Sequence, residues 1–461
     1  MKEHERTDGG LCSRLESVSF YKYQEHTPQN FSWDIPLLHH RSPDPMSYLS
    51  LFVIVGCFLL RELWYQYSSY FSRDPVCKAP RRLHNAEQCR ALLRKSTLSQ
   101  RALPSQRLVA AFGIDNAFTT ADPIWHAKFV HDAREKIRIT DTRHWKALVD
   151  AASDLITDRL CKLYPTGSGS IHLVPFIQVL VFTIVIRQFF PAVAVPSEEE
   201  VKTITSLINS LWLTSKQEHD QLSSAAISEF ENRKIELSNA IHKLFGAPAE
   251  GRDNPLNILI PAYETLWRIV LRTFLEIRFR STVHSDLKPI FQLFMENPSH
   301  LTFELSHYSS GISIKHLVNE SLCLYPPTRR IYRQMGMDDG APEERLGVDV
   351  EALQRHESIW GNNALEWDPR RWADKIKTNE GFMPFGMGKF ECSAKGSFGP
   401  LMVGVLVGSL VLGFSDKDGV GWEVADEVER EGPEEIFGGA GVPLEGGREA
   451  YVGLWLVRVV A

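Results

Sequence analysis

The chain has 461 residues, 43% of them hydrophobic, and a formal net charge of -6 at pH 7. This length is enough to bury a large core in one or two domains. The negative net charge argues against nucleic acid as the main partner, because nucleic-acid-binding proteins usually present a basic surface. The seven cysteines include no CxxC pair and no zinc-like spacing, which favours free thiols in a reducing compartment.

The N-terminal part of the chain contains a polar segment and then an apolar one. Residues 1–45 are polar and lack periodicity, and we predict a disordered tail. Residues 46–67 contain a nearly unbroken apolar run with Trp64 and Tyr65 at its end. We predict a membrane anchor here, since aromatic side chains favour the membrane interface. The run is shorter than the roughly 20 residues that usually span a bilayer, so a buried core helix is the alternative.

The segment after the apolar run contains prolines and leads into the main part of the chain. Residues 68–83 include Pro75 and Pro80, and we predict a hinge because proline stiffens the chain and interrupts regular structure. Residues 84–461 then form the predicted main domain. Met46 immediately precedes the apolar run, which makes it a plausible alternative start of the protein.

Two other stretches have simple structural interpretations. Leu173 to Val195 is strongly apolar, but its unbroken core is short and Arg187 interrupts it. We therefore predict a buried helix rather than a second membrane span. Near the C-terminus, Gly438 to Ala461 combines glycine-rich turns with alternating apolar residues, and this pattern predicts strands paired as a hairpin.

A long apolar helix is predicted from Asn254 to Phe279, and it contains unusual residues. Pro261 lies in its interior, where proline removes a backbone N–H and disturbs the local hydrogen bonds. Glu264 and Thr265 place a carboxylate beside a hydroxyl in an otherwise apolar helix. Burying a carboxylate is costly unless it is paired or used, so this pair is a candidate functional site.

The most distinctive stretch is the loop Phe385–Ala394, with the sequence Phe-Gly-Met-Gly-Lys-Phe-Glu-Cys-Ser-Ala. Gly386 and Gly388 permit backbone angles that other residues resist, and an apolar segment follows the loop. A thiolate of Cys392 at the start of a helix would be stabilised by the helix dipole. A buried structural cysteine in a glycine-rich turn is the alternative.

This loop resembles the haem-ligand loop of the cytochrome P450 family, especially that of its fungal members. The resemblance implies that Cys392 is the proximal thiolate ligand of the haem iron and that Phe385 packs against the haem. The family usually has an arginine two residues before the cysteine, facing a haem propionate. Here that residue is Phe390, so another residue must meet the propionate. Arg333 matches, by spacing, a further propionate-facing arginine of the family.

Two upstream segments carry further resemblance to the family. The proline-containing helix resembles the distal helix, which implies that Glu264 and Thr265 deliver protons during O₂ activation. An earlier segment resembles the helix that leads onto the haem edge. It makes Trp125, His126 and Lys128 candidates for contact with the haem propionates.

A fourth motif supports the resemblance but departs from it at one position. Glu320 matches the glutamate of the family's Glu-x-x-Arg motif, and Arg371 matches the arginine of its aromatic-x-Pro-x-Arg-aromatic motif. Cys323 stands where the first motif has its own arginine. In the family the three side chains form a cluster that supports the haem-binding core, and removing one partner of a buried carboxylate is costly. Arg329 or Arg330 could substitute.

The resemblance covers the chain from about Asn116 to its C-terminus and implies a fold and an activity. The expected fold class is mainly α, the cytochrome P450 fold with a small β-rich region, so that 84–461 would be the haem-binding domain. The expected activity is oxidation of a lipophilic small molecule with O₂ and NADPH-derived electrons, in fungal secondary metabolism. Expected partners are NADPH-cytochrome P450 reductase, cytochrome b5 and the endoplasmic reticulum membrane, with the catalytic domain on the cytosolic side.

Two other functions compete with this interpretation. One is a haem-thiolate enzyme of the isomerase type, which needs no reductase. Its distal helix often lacks the acid and threonine, so Glu264 and Thr265 count against it. The other is a degenerate, non-catalytic haem-fold protein, which is suggested by Cys323.

Overall fold

The computed structural model describes residues 79–139, 141–163, 169–217, 222–281, 284–336, 343–373, 380–416, 420–426, 432–439 and 441–460. These residues belong to one compact unit, Lys78–Ala461. The predicted tail, the predicted anchor and most of the predicted hinge lie outside the described residues, so they stay predictions. The last residues of the hinge segment, Arg81–Leu83, form a strand.

Helices dominate the described residues. In chain order they are α1 (Ala86–Lys95), α2 (Leu98–Ala102), α3 (Gln106–Phe112), α4 (Pro123–Ile137), α5 (Thr142–Leu163), α6 (Leu173–Phe189), α7 (Glu198–Thr214), α8 (Ser224–Phe245), α9 (Leu256–Leu275), α10 (His284–Glu296), α11 (His300–Glu304), α12 (Ile314–Leu324), α13 (Val350–Gln354), α14 (Glu357–Trp360), α15 (Phe398–Gly413) and α16 (Gly432–Phe437). The mainly α prediction is confirmed.

Two small three-stranded sheets account for the strands of the described residues. The strands are β1 (Arg81–Leu83), β2 (Ser170–His172), β3 (Arg330–Met335), β4 (Glu344–Asp349), β5 (Val420–Asp426) and β6 (Leu454–Val460). In the first sheet β4 pairs in parallel with β1 and antiparallel with β3, so that Leu346 lies between Arg81 and Arg333. In the second sheet β6 lies antiparallel between β2 and β5.

The hairpin predicted within Gly438–Ala461 is wrong in its placement. This stretch supplies only one strand of the described residues, β6, and its neighbours are β5 and β2. Strand β5 comes from the preceding Val420–Asp426 stretch, which has the alternating buried and exposed residues of a strand at a sheet edge. The connection between β5 and β6 is therefore longer than the expected turn.

The core is built around α9, which packs against α6, α12 and α15. Helix α6 is buried on nearly all its faces, which confirms the buried helix predicted from the Leu173–Val195 stretch. Helix α15 is also apolar all round, and it packs against α5, α9 and α10. No helix among the described residues is both long and apolar enough to cross a membrane.

Candidate functional site

The Cys392 loop is closed by a backbone hydrogen bond and shaped by two glycines. The Cys392 N–H donates to the Phe385 carbonyl at 2.9 Å. Gly386 and Gly388 have φ angles of +71° and +76°, in the left-handed region that favours glycine. A Cβ on Gly388 would lie 3.1 Å from the Arg94 Cα, so the loop rests directly on α1. The loop thereby fixes the thiol just before the start of α15.

The Cys392 thiol lies in a recess that solvent reaches. Its side chain is exposed, whereas Cys89 and Cys323 are buried. The protein around the recess raises the pKa of Cys392 by desolvation, and the Ala394 N–H and the Arg101 guanidinium act in the opposite direction. An accessible thiol does not fit the alternative of a buried structural cysteine.

Cations surround the ring of Phe390, two residues before Cys392. The charged groups of Arg101, Lys389 and Arg333 lie 4.9, 5.1 and 5.9 Å from the ring centroid. The His126 ring meets Phe390 edge-on at 5.6 Å, and its Nε2 is 3.2 Å from Arg101 Nη1. The structure therefore brings the predicted Arg333 and His126 together, at the position where the usual arginine is missing.

The two arginines of this group are poorly compensated. Burial lowers the pKa of Arg333 to about 10, and burial together with the charge of Arg333 lowers that of Arg101 to about 10. Burial and the charge of Arg101 also lower the pKa of His126. No described carboxylate forms an ion pair with either arginine. Because unpaired buried charge is costly, this group is suited to bind anionic oxygens.

Arg101 was not predicted from the sequence. It lies in α2, a five-residue helix with no recognisable motif. It reaches the site because α2 packs against β3, which carries Arg333. Only this tertiary contact reveals its role.

Trp125 and Lys128 lie elsewhere on α4. The Trp125 Nε1 donates to the Asp115 carbonyl at 3.0 Å, and the Lys128 Nζ lies 2.6 Å from the Asp132 Oδ2. Both side chains line a cavity of about 400 Å³ between α4, α8 and the start of α9. Of the three candidates on this helix, His126 is the one in contact with the group around Phe390.

Helix α9 is buried except along one stripe. Ile258, Pro261, Ala262, Thr265 and Arg268 are partly exposed, whereas most of their neighbours are buried. Their spacing of three or four residues places them on one face of the helix. The Thr265 Oγ1 donates to the Pro261 carbonyl at 2.9 Å. The predicted threonine thus lies on the open face of an otherwise buried helix.

Pro261 leaves an acceptor free in α9, and a loop residue satisfies it. Residue 261 would normally donate to the carbonyl of Asn257, four residues earlier, but proline has no N–H. The Asn116 Nδ2 donates to that carbonyl instead, at 3.1 Å. The helix continues through the proline, and its freed carbonyl is paired with the loop before α4.

Glu264 is buried and has a charged partner. It is 3% exposed, and its Oε2 lies 2.5 Å from the Arg448 Nη1. Arg448 comes from the segment before β6. The sequence indicated that this carboxylate needed a partner, but it carried no signal for Arg448, because the contact depends on the packing of the C-terminal segment against α9.

Glu320 is fully buried and receives three donors. The Arg371 Nε lies 3.0 Å from its Oε2, the Asp368 backbone N–H donates at 2.8 Å, and the Trp372 Nε1 donates at 2.7 Å. Burial raises the pKa of Glu320 to about 7, and the charge of Arg371 opposes this rise. The predicted pairing of Glu320 with Arg371 is present.

Cys323 does not leave a hole in this cluster. Its buried thiol donates to the Gln354 carbonyl at 3.3 Å, and the Gln354 side chain donates back to the carbonyls of Leu322 and Cys323 at 2.9 and 2.8 Å. The indole of Trp372 supplies Glu320 with a donor in addition to Arg371. This part of the cluster is therefore rebuilt from neutral groups.

The two arginines proposed as substitutes are engaged elsewhere. The Arg329 Nε lies 2.6 Å from the Glu351 carboxylate, and the Arg330 Nε lies 3.1 Å from that of Asp349. The suggestion that either one replaces the missing arginine is wrong, because both pair with acids that flank the junction of β4 and α13.

Solved structures resemble most of this chain in fold. CYP175A1 from Thermus thermophilus aligns with a TM-score of 0.53 and 15% identity, covering 72% of this chain and 80% of that one. CYP154A1 from Streptomyces coelicolor aligns with a TM-score of 0.52 and 15% identity, covering 82% and 91%. The chain has the cytochrome P450 fold. The predicted fold class is therefore confirmed.

Curated relatives match over shorter segments and support the cytochrome P450 family. A cytokinin hydroxylase from Arabidopsis thaliana is 30% identical over 114 residues, 23% of this chain and 22% of that protein. Cytochrome P450 52A13 from Debaryomyces hansenii is 29% identical over 161 residues, 31% of each protein. The chain thus spans about a fifth to a third of the length of these relatives. No protein-family model matches it.

The residues around Cys392 fit the haem that the cytochrome P450 family implies. In cytochromes P450 the haem iron is held by a cysteine thiolate, and the two haem carboxylates are negatively charged and suit cationic donors. Cys392 offers an accessible thiol. Phe390 lies two residues before Cys392 in sequence, and its ring contacts Arg101, Arg333 and His126. Among the described residues no group of three or more His, Cys, Asp or Glu side chains could hold a bare metal ion.

Proposed function

We propose that the chain is a haem-thiolate monooxygenase that oxidises a lipophilic small molecule. The observation that carries this proposal is the Cys392 thiol, held accessible at the end of a glycine-shaped loop in the cytochrome P450 fold. Cys392 would hold the haem iron through its thiolate, Phe385 would pack beside Cys392, and Arg101, Arg333 and His126 would hold the haem carboxylates. When bound, the haem supplies the oxygen and electron-transfer chemistry.

The protein's own contribution at the thiol is electrostatic. The Ala394 N–H and the positive charge of Arg101 both favour the ionised form of Cys392, against the desolvation that disfavours it. A thiolate is the form that binds a metal. The loop therefore stabilises the charge that the ligand must carry, while Gly386 and Gly388 keep the backbone in place.

Thr265 and Glu264, both in α9, would handle protons. The Thr265 hydroxyl donates to the Pro261 carbonyl, which leaves its oxygen free to accept a hydrogen bond from the open side. Glu264 is adjacent and is held beside α9 by Arg448. Glu264, the acid next to Thr265 in sequence, would supply protons to the open face of α9, on which Thr265 lies.

The proposed setting follows from the motifs and from the apolar N-terminal run. Electrons would come from NADPH through NADPH-cytochrome P450 reductase, with cytochrome b5 as a second donor. Residues 46–67 would anchor the protein in the endoplasmic reticulum membrane, with the catalytic domain in the cytosol. The Phe-Gly-Met-Gly-Lys-Phe stretch resembles that of fungal members, which supports a place in secondary metabolism.

The two competing functions find less support in the site. Glu264 and Thr265 are adjacent in α9, with Thr265 on the partly exposed stripe and Glu264 buried beside it. The presence of this pair disfavours an isomerase-type enzyme without a proton relay. The degenerate protein was suggested by the absence of an arginine at Cys323. The donors from Arg371, Asp368 and Trp372 satisfy Glu320, so the missing arginine is no longer a reason to expect a non-catalytic protein.

The test is the carbon-monoxide difference spectrum of the reduced protein, with haem content measured on the same sample. We expect a strongly red-shifted Soret band for the natural protein, and its loss in Cys392→Ala. Cys161→Ala, which removes another exposed thiol, is the matched control and should keep the band. A band typical of a neutral ligand, or no haem at all, in the natural protein would overturn the proposal.

A further inference from the structure

Basic side chains from distant segments meet beside α9. The guanidinium groups of Arg107 and Arg448 lie over the same ring, that of Trp212, at 5.2 and 4.6 Å from its centroid. Arg107 comes from α3, Trp212 from the end of α7 and Arg448 from the segment before β6. Because these segments are far apart in sequence, only the fold brings the two cations together.

Two more arginines extend the same cluster. The Arg268 Nη2 donates to the Pro327 carbonyl at 3.0 Å. Arg329 follows two residues later, and its guanidinium carbon is 3.3 Å from the position that a Cβ on Gly446 would take. Gly446 is two residues before Arg448, so Arg329 lies beside the segment that carries Arg448. We call these four residues the arginine group: Arg107, Arg268, Arg329 and Arg448.

The arginine group carries more positive charge than its neighbours balance. Glu264 pairs with one member and Glu351 with another, at N–O distances of 2.5 and 2.6 Å. No described carboxylate forms an ion pair with Arg107 or Arg268. Burial of several cations with too few anions is unfavourable. The cluster is therefore a place where a bound anion would be stabilised.

Arg448 supplies a second, independent observation. Its side chain is 4% exposed, yet its Nη2 has no hydrogen-bond partner among the described residues. An unpaired buried donor is unfavourable, and more so when it is charged. Lys216 is affected by the same charges. Partial burial of Lys216 and, after it, the positive charges of the four arginines lower its pKa to about 8.

We propose that the arginine group binds the carboxylate of an anionic, amphiphilic substrate. This inference rests on the proposed function and names the substrate class of that site. Planar guanidinium groups match a planar carboxylate with paired hydrogen bonds. Arg268 is three residues beyond Thr265 on the same stripe of α9, about 4.5 Å along a helix that rises 1.5 Å per residue. The anionic end of the substrate is thus held close to the face that carries Thr265.

The experiment compares ligands that differ only in charge. Binding of dodecanoate, 1-dodecanol and methyl dodecanoate to the full-length haem-loaded protein is measured by titration calorimetry. We expect dodecanoate to bind at least about tenfold more tightly than either neutral ligand, since a hydrogen bond to a charged group contributes roughly 1.5–3 kcal/mol. Added sodium chloride should weaken dodecanoate binding and leave 1-dodecanol unaffected.

Arg107→Gln tests the cluster itself. This side chain bonds to Ser215 and lies over Trp212, and it has no contact with Glu264 or Cys392 among those described. We expect the variant to lose about tenfold in dodecanoate affinity and to keep its affinity for 1-dodecanol. The matched control is Arg252→Gln, which removes an arginine over another tryptophan, Trp125, outside the cluster. It should bind both ligands normally.

The outcomes separate this inference from the proposed function. Equal affinity for the acid and the alcohol, equal weakening of both by Arg107→Gln, or no binding of dodecanoate would overturn the anionic substrate. A normal carbon-monoxide spectrum would then leave the monooxygenase proposal standing. Conversely, protein without thiolate-bound haem that still prefers dodecanoate through Arg107 would overturn the monooxygenase and keep the carboxylate site.

Discussion

At the scale of single residues, Glu320 shows how a lost arginine is replaced. A buried carboxylate with a single cationic partner would be poorly compensated. Here the Asp368 N–H and the Trp372 indole donate as well, and Cys323 faces Gln354 instead. Neutral donors therefore stabilise this carboxylate together with Arg371. Burial nevertheless raises the pKa of Glu320 to about 7, although Arg371 and the two neutral donors act in the opposite direction.

Restoring an arginine at position 323 should not help this protein. We expect Cys323→Arg to leave haem occupancy unchanged or lower, and to reduce the free energy of unfolding, because a long cation must enter a site 2% exposed that Gln354 already fills. Overpacking of this kind typically costs about 1–3 kcal/mol. Haem per polypeptide and the urea midpoint measure both effects. A clear gain in haem would show instead that the natural cluster is impaired.

The raised pKa of Glu320 predicts a pH dependence of stability. The folded-state pKa of about 7 lies above the usual value near 4.3, so the folded protein retains a proton that the unfolded chain has lost. The stabilisation is complete below about pH 4.3 and is lost as the pH rises through 7, by roughly 4 kcal/mol at most. Urea unfolding at pH 5, 6, 7 and 8 should show this slope.

Glu320→Gln is the control for that slope. The variant cannot titrate at this position, so its free energy of unfolding should change less than that of the natural protein between pH 5 and pH 7. Parallel curves for the two proteins would mean that Glu320 does not hold the proton.

Thr265 should matter for the use of O₂ more than for binding. We expect Thr265→Ala to release most of the consumed O₂ as hydrogen peroxide, with product per NADPH falling about tenfold or more, because a positioned proton donor is lost. Thr265→Ser keeps the hydroxyl and should restore most of the coupling. The readout is peroxide and product formed per NADPH, with dodecanoate and reductase. Unchanged coupling in Thr265→Ala would remove this residue from the relay.

At the scale of helices, α15 depends on close contact with α5. A Cβ on Gly413 would lie 2.6 Å from the Ile156 Cγ2, closer than real carbon atoms approach. We therefore expect Gly413→Ala to lower the free energy of unfolding by about 1–3 kcal/mol, despite the helix propensity that alanine adds, about 1 kcal/mol. Urea unfolding measures the change.

Two further variants test that explanation. Gly396→Ala is the matched control, because nothing lies within 4 Å of the position that its Cβ would take, and it should be nearly neutral. Gly413→Ala combined with Ile156→Ala should cost less than the sum of the two single changes, since the clash is gone. Strict additivity would mean that the helices move apart without strain.

At the scale of the whole molecule, the four cysteines among the described residues lie in different environments. Cys161 and Cys392 are exposed, while Cys89 and Cys323 are buried, and the pKa of both buried thiols is raised by desolvation. We expect iodoacetamide to label Cys161 and Cys392 in the native protein and the other two only after unfolding. Peptide mass spectrometry reads each site separately.

Haem should change that labelling at one position. Loading with haemin should protect Cys392 and leave Cys161 reactive. Protection of neither thiol, or equal labelling of Cys323 in the native protein, would contradict the placement of these residues.

The sequence predicted the structure best where a helix or loop is determined by residues close together along the chain. The helix through Pro261, the buried helix α6 and the loop before α15 each follow from local spacing and composition. The pairing of Glu320 with Arg371 was predicted in another way, from the resemblance of the two segments to motifs of the cytochrome P450 family.

The remaining parts of the site depend on contacts between distant segments. Arg101 reaches Phe390 because α2 packs on β3, and Arg448 reaches Glu264 because the segment before β6 lies on α9. Neither arginine belongs to a local pattern. The indole of Trp372 was overlooked for a similar reason: its direction is set by the short 3₁₀ turn Pro369–Trp372, and the motif specifies only an aromatic residue there.

The hydrogen bond from Asn116 to the carbonyl freed by Pro261 has a consequence for the order in which these two residues can be substituted during evolution. An N–H at position 261 would satisfy the Asn257 carbonyl within the helix and make the Asn116 amide redundant there. As long as the proline is present, losing the amide leaves a buried acceptor bare, at a cost of about 1–3 kcal/mol. Descendants of this protein are therefore expected to give up the asparagine only after they have given up the proline.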